Sequence, residues 1–349
     1  MATVTPMMQQ YLDTKEKYRD CVLLYRLGDF YEMFFDDAET VSRELELTLT
    51  GRDCGLEERA PMCGIPYHAV NVYVEKLLAL GHKVVICEQM EDPALAKGLV
   101  KRDVIRVITP GTVSDPTMLD ERTNNFLLSV CFSGDKAGLA LTDVSTGEFL
   151  VHQVDRAEET LADEVARIRP IEIISHDLVR LRACHVREDI ASSERPASDY
   201  RYQNASETLC GHFGLNDLSP LGLTEEYRPA ACAAGGLMKY LVETQKNALE
   251  HITSLRIYQG AETMLLDHNT RRNLELTESL RSRTRKGSLL WLLDKTSTAM
   301  GGRLLRTWIE QPMISRSRIE ERLDAVAELA GQHVLSMQLS EELTGVYDV

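Results

Sequence analysis

The chain has 349 residues, 44% of them hydrophobic and 27% charged, with a formal net charge of −15. This length exceeds one ordinary hydrophobic core and implies two or three domains of soluble, globular composition. No apolar run approaches the roughly eighteen residues that a membrane helix needs, and the opening MATVTPMMQQYLDTKEKYRD lacks the basic and apolar regions of a signal peptide. A cytoplasmic protein without membrane attachment is therefore expected. The eight cysteines, at 21, 54, 63, 87, 131, 184, 210 and 232, form no C-x-x-C pair, so reduced structural thiols are expected rather than a zinc site or a disulfide framework. The acidity argues against a binder that works through a basic tail. It is unevenly spread, since Leu255 to Glu320 holds twelve Lys and Arg against seven Asp and Glu, a local balance of +5.

In chain order, Met7 to Tyr18 reads as an amphipathic helix. Val22 to Arg26 and Phe30 to Phe35 are strand-like on either side of a Gly-Asp turn, a hairpin pattern. Asp36 to Leu45 returns to helical spacing, and Val72 to Leu80 is a helix stopped by Gly81. Lys83 to Glu88 and Val104 to Thr109 are β-branched runs, which completes a mixed α+β domain over 1–112. The polar stretch 113–124 reads as a linker. Three short strands follow, over Asn125 to Phe132, Ala137 to Asp143 and Gly147 to Val154, then a helix from Ala157 to Ile168 and a strand from Ile171 to Ser175. That order suggests an α/β layer fold over 125–248, closed by a long Ala- and Leu-rich helix from Ala230 to Asn247. From 249 to 349 the pattern is helical.

Three blocks carry more information than the rest: GDFYEMFFDDA at Gly28 to Ala38, PMCGIPYHA at Pro61 to Ala69, and ITPGT at Ile108 to Thr112. Their order and spacing resemble the start of the MutS family, the bacterial DNA mismatch-recognition ATPases. The likeness covers essentially the whole chain. It implies a mixed α/β mismatch-binding domain, an RNase-H-like α/β connector and the beginning of an all-helical core or lever domain. No G-x-x-x-x-G-K-[ST] phosphate loop occurs. The resemblance therefore makes the chain an N-terminal portion that hydrolyses no ATP and holds no cofactor, with ATP and Mg bound in a domain it lacks. It also implies mismatched or looped duplex DNA as ligand, MutL as partner of the connector, and a homodimer for the longer protein.

On periodicity alone, Phe30 reads as a core residue of its strand, and Glu32, two positions on and on the same face, as a solvated carboxylate. The resemblance makes Phe30 a wedge that unstacks a base step. A mispaired base resists this less than a matched one, so selectivity comes from deformability. Tyr31 then becomes the core residue, and Glu32 the acid that hydrogen-bonds an exposed base edge. Pro61, Met62 and Gly64 are expected in a loop beside the wedge, against the minor groove. Arg52, Lys101 and Arg102 are candidate phosphate or sugar contacts, and His68 is expected to be a hydrogen-bonded structural histidine. The clusters Arg271-Arg272 and Arg281 to Lys286 read as solvated and interdomain charge. Asp143 and Glu172 are the only support for metal-dependent nuclease chemistry, which would need more carboxylates than they supply, so no catalytic or metal-binding residue is assigned. A reading from another class is a protein-interaction module, the connector binding MutL with little DNA affinity in the chain alone.

Overall fold

The computed structural model describes residues 4–55, 57–91, 98–246, 249–258, 263–264 and 266–348. The chain divides into two units, one of residues 1–118 with 240–250, the other of 119–239 with 251–349.

The first unit is built on a six-stranded sheet. In chain order it contains α1 (Pro6–Lys17), β1 (Cys21–Leu27), β2 (Phe30–Phe34), α2 (Phe35–Glu44), β3 (Thr50–Arg52), β4 (Ala60–Pro66), α3 (Val70–Ala79), β5 (Lys83–Gln89) and β6 (Arg102–Ile108). The strand order is β3-β4-β2-β1-β5-β6. Only β1 and β5 run parallel, because a helical crossover joins them, whereas the hairpin connections give antiparallel pairs. Strand β1 lies centrally and is apolar on both faces, with Val22 and Leu24 on one and Leu23 and Tyr25 on the other, all buried. Helix α1 covers the Leu23–Tyr25 face. Its Tyr11 ring meets Tyr25 at 5.4 Å and Phe34 at 4.9 Å, both edge-on, and its Lys15 pairs with the buried Asp37 at 2.8 Å. Helices α2 and α3 cover the opposite face through Ala38, Val41, Val74 and Leu77.

Sequence periodicity leads one to expect a single core face on β2, but both are covered. Tyr31 and Met33 are buried on one side and Phe34 on the other. A second difference concerns Pro61, Met62 and Gly64, expected in a loop. They lie within β4, hydrogen-bonded between β2 and β3. The proline and glycine that signal a turn locally are tolerated here because the neighbouring strands supply the pairing.

The second unit contains β7 (Phe126–Ser133), β8 (Lys136–Asp143), β9 (Glu148–Val154), α4 (Ala157–Ile168), β10 (Glu172–Ser175), α5 (Leu178–Ala183), β11 (Ala191–Glu194), α6 (Tyr202–Phe213) and α7 (Arg228–Gln245). Its sheet has the order β11-β10-β7-β8-β9-β12, where β12 (Arg256–Ile257) adds parallel to β9. This two-residue strand interrupts a region whose pattern reads as wholly helical. One face of the sheet packs Leu128, Val130, Leu139 and Leu141 against Leu161 and Val165 of α4. The other receives α7, whose small residues let its backbone lie directly on β8. A Cβ added at Gly138 would sit 2.0 Å from the carbonyl of Pro229. The same run accepts α6 closely, since a Cβ at Gly235 would fall 2.3 Å from Ala205. The grouping of residues passes from the second unit to the first at Tyr240, within α7. The end expected for this helix, Asn247, lies outside the described residues.

Five further helices follow among the described residues: α8 (His268–Asn273), α9 (Leu289–Leu293), α10 (Ala299–Glu310), α11 (Arg316–Gly331) and α12 (His333–Leu343). The side chains of Asp267, Ser288 and Thr298 accept hydrogen bonds from backbone N–H groups in the first turns of α8, α9 and α10, the expected N-cap chemistry. Asp294, whose side chain is almost fully buried, is shared by Arg122 at 3.1 Å and by Arg285. No helix among the described residues is long and apolar enough to cross a membrane.

Candidate nucleic-acid interface

Cross-strand register assembles the candidate site at one end of the first sheet. Residues directly opposite share a face, so the pairs Phe30↔Pro66 and Glu32↔Gly64 place these side chains together, with Leu27 opposite Phe30. Helix α1 covers this face as far as Phe34 and Tyr25 and stops short of the hairpin tip. The consequence is a Phe that the fold does not bury: Phe30 is 47% exposed, whereas its neighbour Tyr31 is 6% exposed. The turn that presents it is tight, with Gly28 at φ +61°, a conformation that glycine adopts without steric cost. Gly64 leaves room between the two side chains of interest. A Cβ there would make ordinary contact with Glu32 at 3.6 Å and with Phe30 at 3.9 Å.

Behind Phe30, the opposite face of the same tip is held by polar contacts that sequence reading missed. The Tyr31 hydroxyl donates to Glu88, which also pairs with Arg26 at 3.4 Å. Burial pushes the Tyr31 phenol well above its ordinary range, and the hydrogen bond to Glu88 adds to the shift. The Arg26 guanidinium lies 3.9 Å from the ring centre of Tyr67, an exposed aromatic that follows the Pro66 opposite Phe30. Tyr67 N–H in turn donates to the Asp29 carbonyl at 3.0 Å, tying β4 to the hairpin turn. The signal was present in sequence as the Tyr of IPYHA, but only the pairing of Phe30 with Pro66 shows that it lies near Phe30.

The other predicted residues divide by what they touch. Arg52 reaches across the sheet and donates to Glu32 at 2.5 Å, with Glu32 only 16% exposed at its side chain. The sequence offers no link between the two, one expected as a base-contacting acid and the other as a phosphate or sugar contact, and the structure brings them together. Pro61 and Met62 are half-buried on β4. Lys101 is exposed. Arg102 is turned inward: it donates to the Arg26 carbonyl at 2.9 Å and stacks 5.0 Å from the Tyr25 ring centre. The Tyr25 phenol is pushed up to about 12 by burial, an effect the neighbouring Arg102 opposes. His68 does not fit the expectation of a hydrogen-bonded histidine, being exposed and meeting Tyr67 edge-on.

Asp143 is buried and its carboxylate is consumed locally, accepting from Asn124, from the backbone of Asn125 and Ser145, and from the Ser145 hydroxyl. Among the described residues no group of three or more His, Cys, Asp or Glu could hold a metal ion. The eight cysteines are free thiols, all but Cys210 buried, and burial pushes Cys63 up to about 11 and Cys21 and Cys87 to about 12. The basic clusters of the second unit are less solvated than their composition implies, since Arg271 is buried and Arg285 is paired.

Comparison with known proteins accounts for nearly the whole chain. Three family models match in order: "MutS domain I" over residues 5–117, "MutS domain II" over 125–253 and "MutS domain III" over 269–349. Relatives named DNA mismatch repair protein MutS are similar along the full chain. The protein of Ruminiclostridium cellulolyticum is 52% identical over 100% of this chain and 40% of its own length. Those of Acetivibrio thermocellus and Lachnoclostridium phytofermentans are 49% and 48% identical, again over 100% of this chain, and over 40% and 38% of their own lengths. The chain thus spans about 40% of the length of these relatives and belongs to the MutS family, matching its domains I, II and III in order.

Proposed function

We propose that this chain recognises mispaired or looped duplex DNA in mismatch repair, with Phe30 as the wedge and Glu32 as the base-contacting acid. The observation that supports this most directly is the exposure of Phe30, an aromatic side chain displayed at the tip of a buried, hydrogen-bonded hairpin. A side chain backed by a sheet can press between base pairs without giving way, and unstacking at a cost of a few kcal/mol is easiest where pairing is already defective. Glu32 and the flat surface at Gly64 lie beside it, ready to accept a hydrogen bond from the disturbed base. Arg52 holds the acid in place and offsets its repulsion from phosphates. Gly64 beside Glu32, Lys101, and Pro61 and Met62 farther along β4 supply groove or backbone contacts.

The remaining assignments belong to the same reading. The sheet of the second unit, a β7-β8-β9 meander followed by α4 and parallel β10, is read as the RNase-H-like connector, which engages MutL. ATP, Mg and a homodimer belong to the longer proteins of the family, and the setting is cytoplasmic. Titrating this chain against a G·T heteroduplex and a matched duplex tests the proposal by fluorescence anisotropy. Tighter binding to the heteroduplex, lost in Phe30→Ala, is expected. Equal binding to both duplexes would favour the chain as a protein-interaction module.

A further inference from the structure

The free thiols differ in what they face. Cys21 Sγ donates to Asp20 at 3.6 Å, and Cys54 and Cys63 donate to the carbonyls of Glu58 and Ala38, both at 3.5 Å. Cys210 meets the Ser206 hydroxyl at 4.0 Å. Cys131 of β7 and Cys232 of α7 instead meet each other.

Two fixed points in the second unit enforce this contact. Cys131 stands opposite Gly138 of β8 and shares its face of the sheet. The first turn of α7 rests on that face, with Pro229 and Ala230 only 2.0 and 2.4 Å from where a Cβ at Gly138 would stand. Two positions before Cys131, and on the same face, the Ser129 hydroxyl donates to the Tyr200 hydroxyl at 3.2 Å. The Tyr200 ring in turn lies against α7 at Gly236, where a Cβ would stand 2.8 Å from it. Helix α7 is thus held down on both sides of Cys232, at Ala230 and at Gly236, and close packing leaves it no room to lift away.

The two sulfurs are not equivalent. Cys232 is 7% exposed and Cys131 4%. The hydrogen bond from Cys131 holds the Cys232 thiol below its ordinary range against the effect of burial, and Arg228, one turn earlier on α7, acts in the same direction. Donating that bond, together with burial, pushes the Cys131 thiol up. The thiolate is the form that peroxides oxidise, so Cys232 is the attacking sulfur and Cys131 the resolving one.

We propose that Cys131 and Cys232 form a reversible oxidation site, closing to an intramolecular disulfide that ties α7 to β7 when the chain meets a peroxide. Attack of the Cys232 thiolate on a peroxide oxygen breaks the O–O bond and leaves a sulfenic acid and hydroxide, which takes up the proton that Cys232 had released. Cys131 then attacks that sulfur. The S–S bond forms, the S–O bond breaks, and the departing hydroxide takes the Cys131 proton as a second water. The two sulfurs give up two electrons, the peroxide gains them, and a dithiol reductant reverses the change. Sulfurs already in hydrogen-bond contact reach the S–S distance of about 2 Å by a small side-chain rotation. The new bond closes a loop of about 100 residues, which constrains the unfolded chain and favours the folded one.

The test is peptide mapping of the 349-residue chain after stepwise addition of hydrogen peroxide, with the remaining thiols alkylated in denaturant by N-ethylmaleimide. A peptide pair joined at Cys131 and Cys232 is expected, in material that runs as a monomer on non-reducing electrophoresis. Six of the eight cysteines should still be alkylated, and dithiothreitol should restore all eight. The urea midpoint of the second unit should rise on oxidation. Cys232→Ala, a small change between Ala231 and Ala233, should abolish both the joined peptides and the rise. If that variant does not fold, the peptide map of the unaltered chain decides alone. Eight alkylated cysteines after peroxide, a bond through another cysteine or between chains, or the same rise in Cys232→Ala would overturn the proposal.

Discussion

At the residue scale the pairing of Arg52 with Glu32 changes what each substitution should do. A lone carboxylate beside DNA repels phosphates, so its removal would tighten binding to any duplex. With Arg52 2.5 Å away, part of that repulsion is already offset. Arg52→Ala removes a cation and unmasks the acid, and both effects oppose DNA. Matched-duplex affinity should therefore fall, by about 1 kcal/mol for a partly exposed pair, and by less as salt rises. Glu32→Ala frees Arg52 and should tighten matched-duplex binding while removing the base contact. The double variant should lie closer to the unaltered chain than the sum of the two single variants, which a double-mutant cycle on homoduplex and heteroduplex measures. Strict additivity would mean that the ion pair has no part in DNA binding. Phe30→Ala should have little effect on stability, because the side chain is half-exposed, and, under the proposed wedge role, should erase the preference for mismatches.

Two elements of the second unit carry sharp expectations at the next scale. The backbone of α7 rests on β8 at Gly138, where a Cβ would lie 2.0 Å from Pro229. Backbone cannot swing aside as a flexible side chain does, so Gly138→Ala should destabilise the unit by about 3 kcal/mol, read as a fall in the urea midpoint. Gly64→Ala, whose new Cβ meets nothing closer than 3.5 Å, should fold normally and serve as the control. The second case is Asp294, gripped by Arg122 and Arg285. Burial works to raise its pKa, but hydrogen bonds from Thr296 and the two arginines hold it down at about 2, below its ordinary 3.8. A depressed carboxylate stabilises the fold above its unfolded pKa and loses that contribution as pH falls. Stability should thus drop between about pH 4 and pH 2, and Asp294→Asn should flatten that part of the profile. The same substitution at neutral pH should cost roughly 3 kcal/mol, because it leaves two arginines without their shared acid.

For the whole molecule, the balance of charge sets how DNA binding responds to salt. Around the hairpin tip Arg52 is paired, Arg102 is turned inward, and Lys101 is exposed. If only two or three cations meet phosphates, log Kobs should fall with log salt with a slope of roughly −2 to −3. A slope of −6 or steeper would place the main DNA contact on a basic surface elsewhere. The exposed apolar residues of α11 and α12, among them Leu323, Val326, Val334 and Met337, belong to the same scale, since local helical pattern forms these helices without covering them.

What the sequence determined by itself was local: the β1–β2 hairpin around Gly28, the helices α1 to α4 to within a few residues, the meander of the second sheet, and the GDFYE block that carries the family likeness. These follow from periodicity and turn chemistry, which act over a handful of neighbouring residues. Tertiary structure decided everything that depends on partners distant in the chain. It made PMCGIP a strand, because β2 and β3 complete its hydrogen bonds. It turned Arg102 inward to Gln10 and Tyr25, 92 and 77 positions away, and joined Arg52 to Glu32 across two strands. It also buried Arg271, a residue that composition alone places in solvent. A charged side chain reads the same in sequence whether water or an acid surrounds it, and only the fold supplies that neighbour.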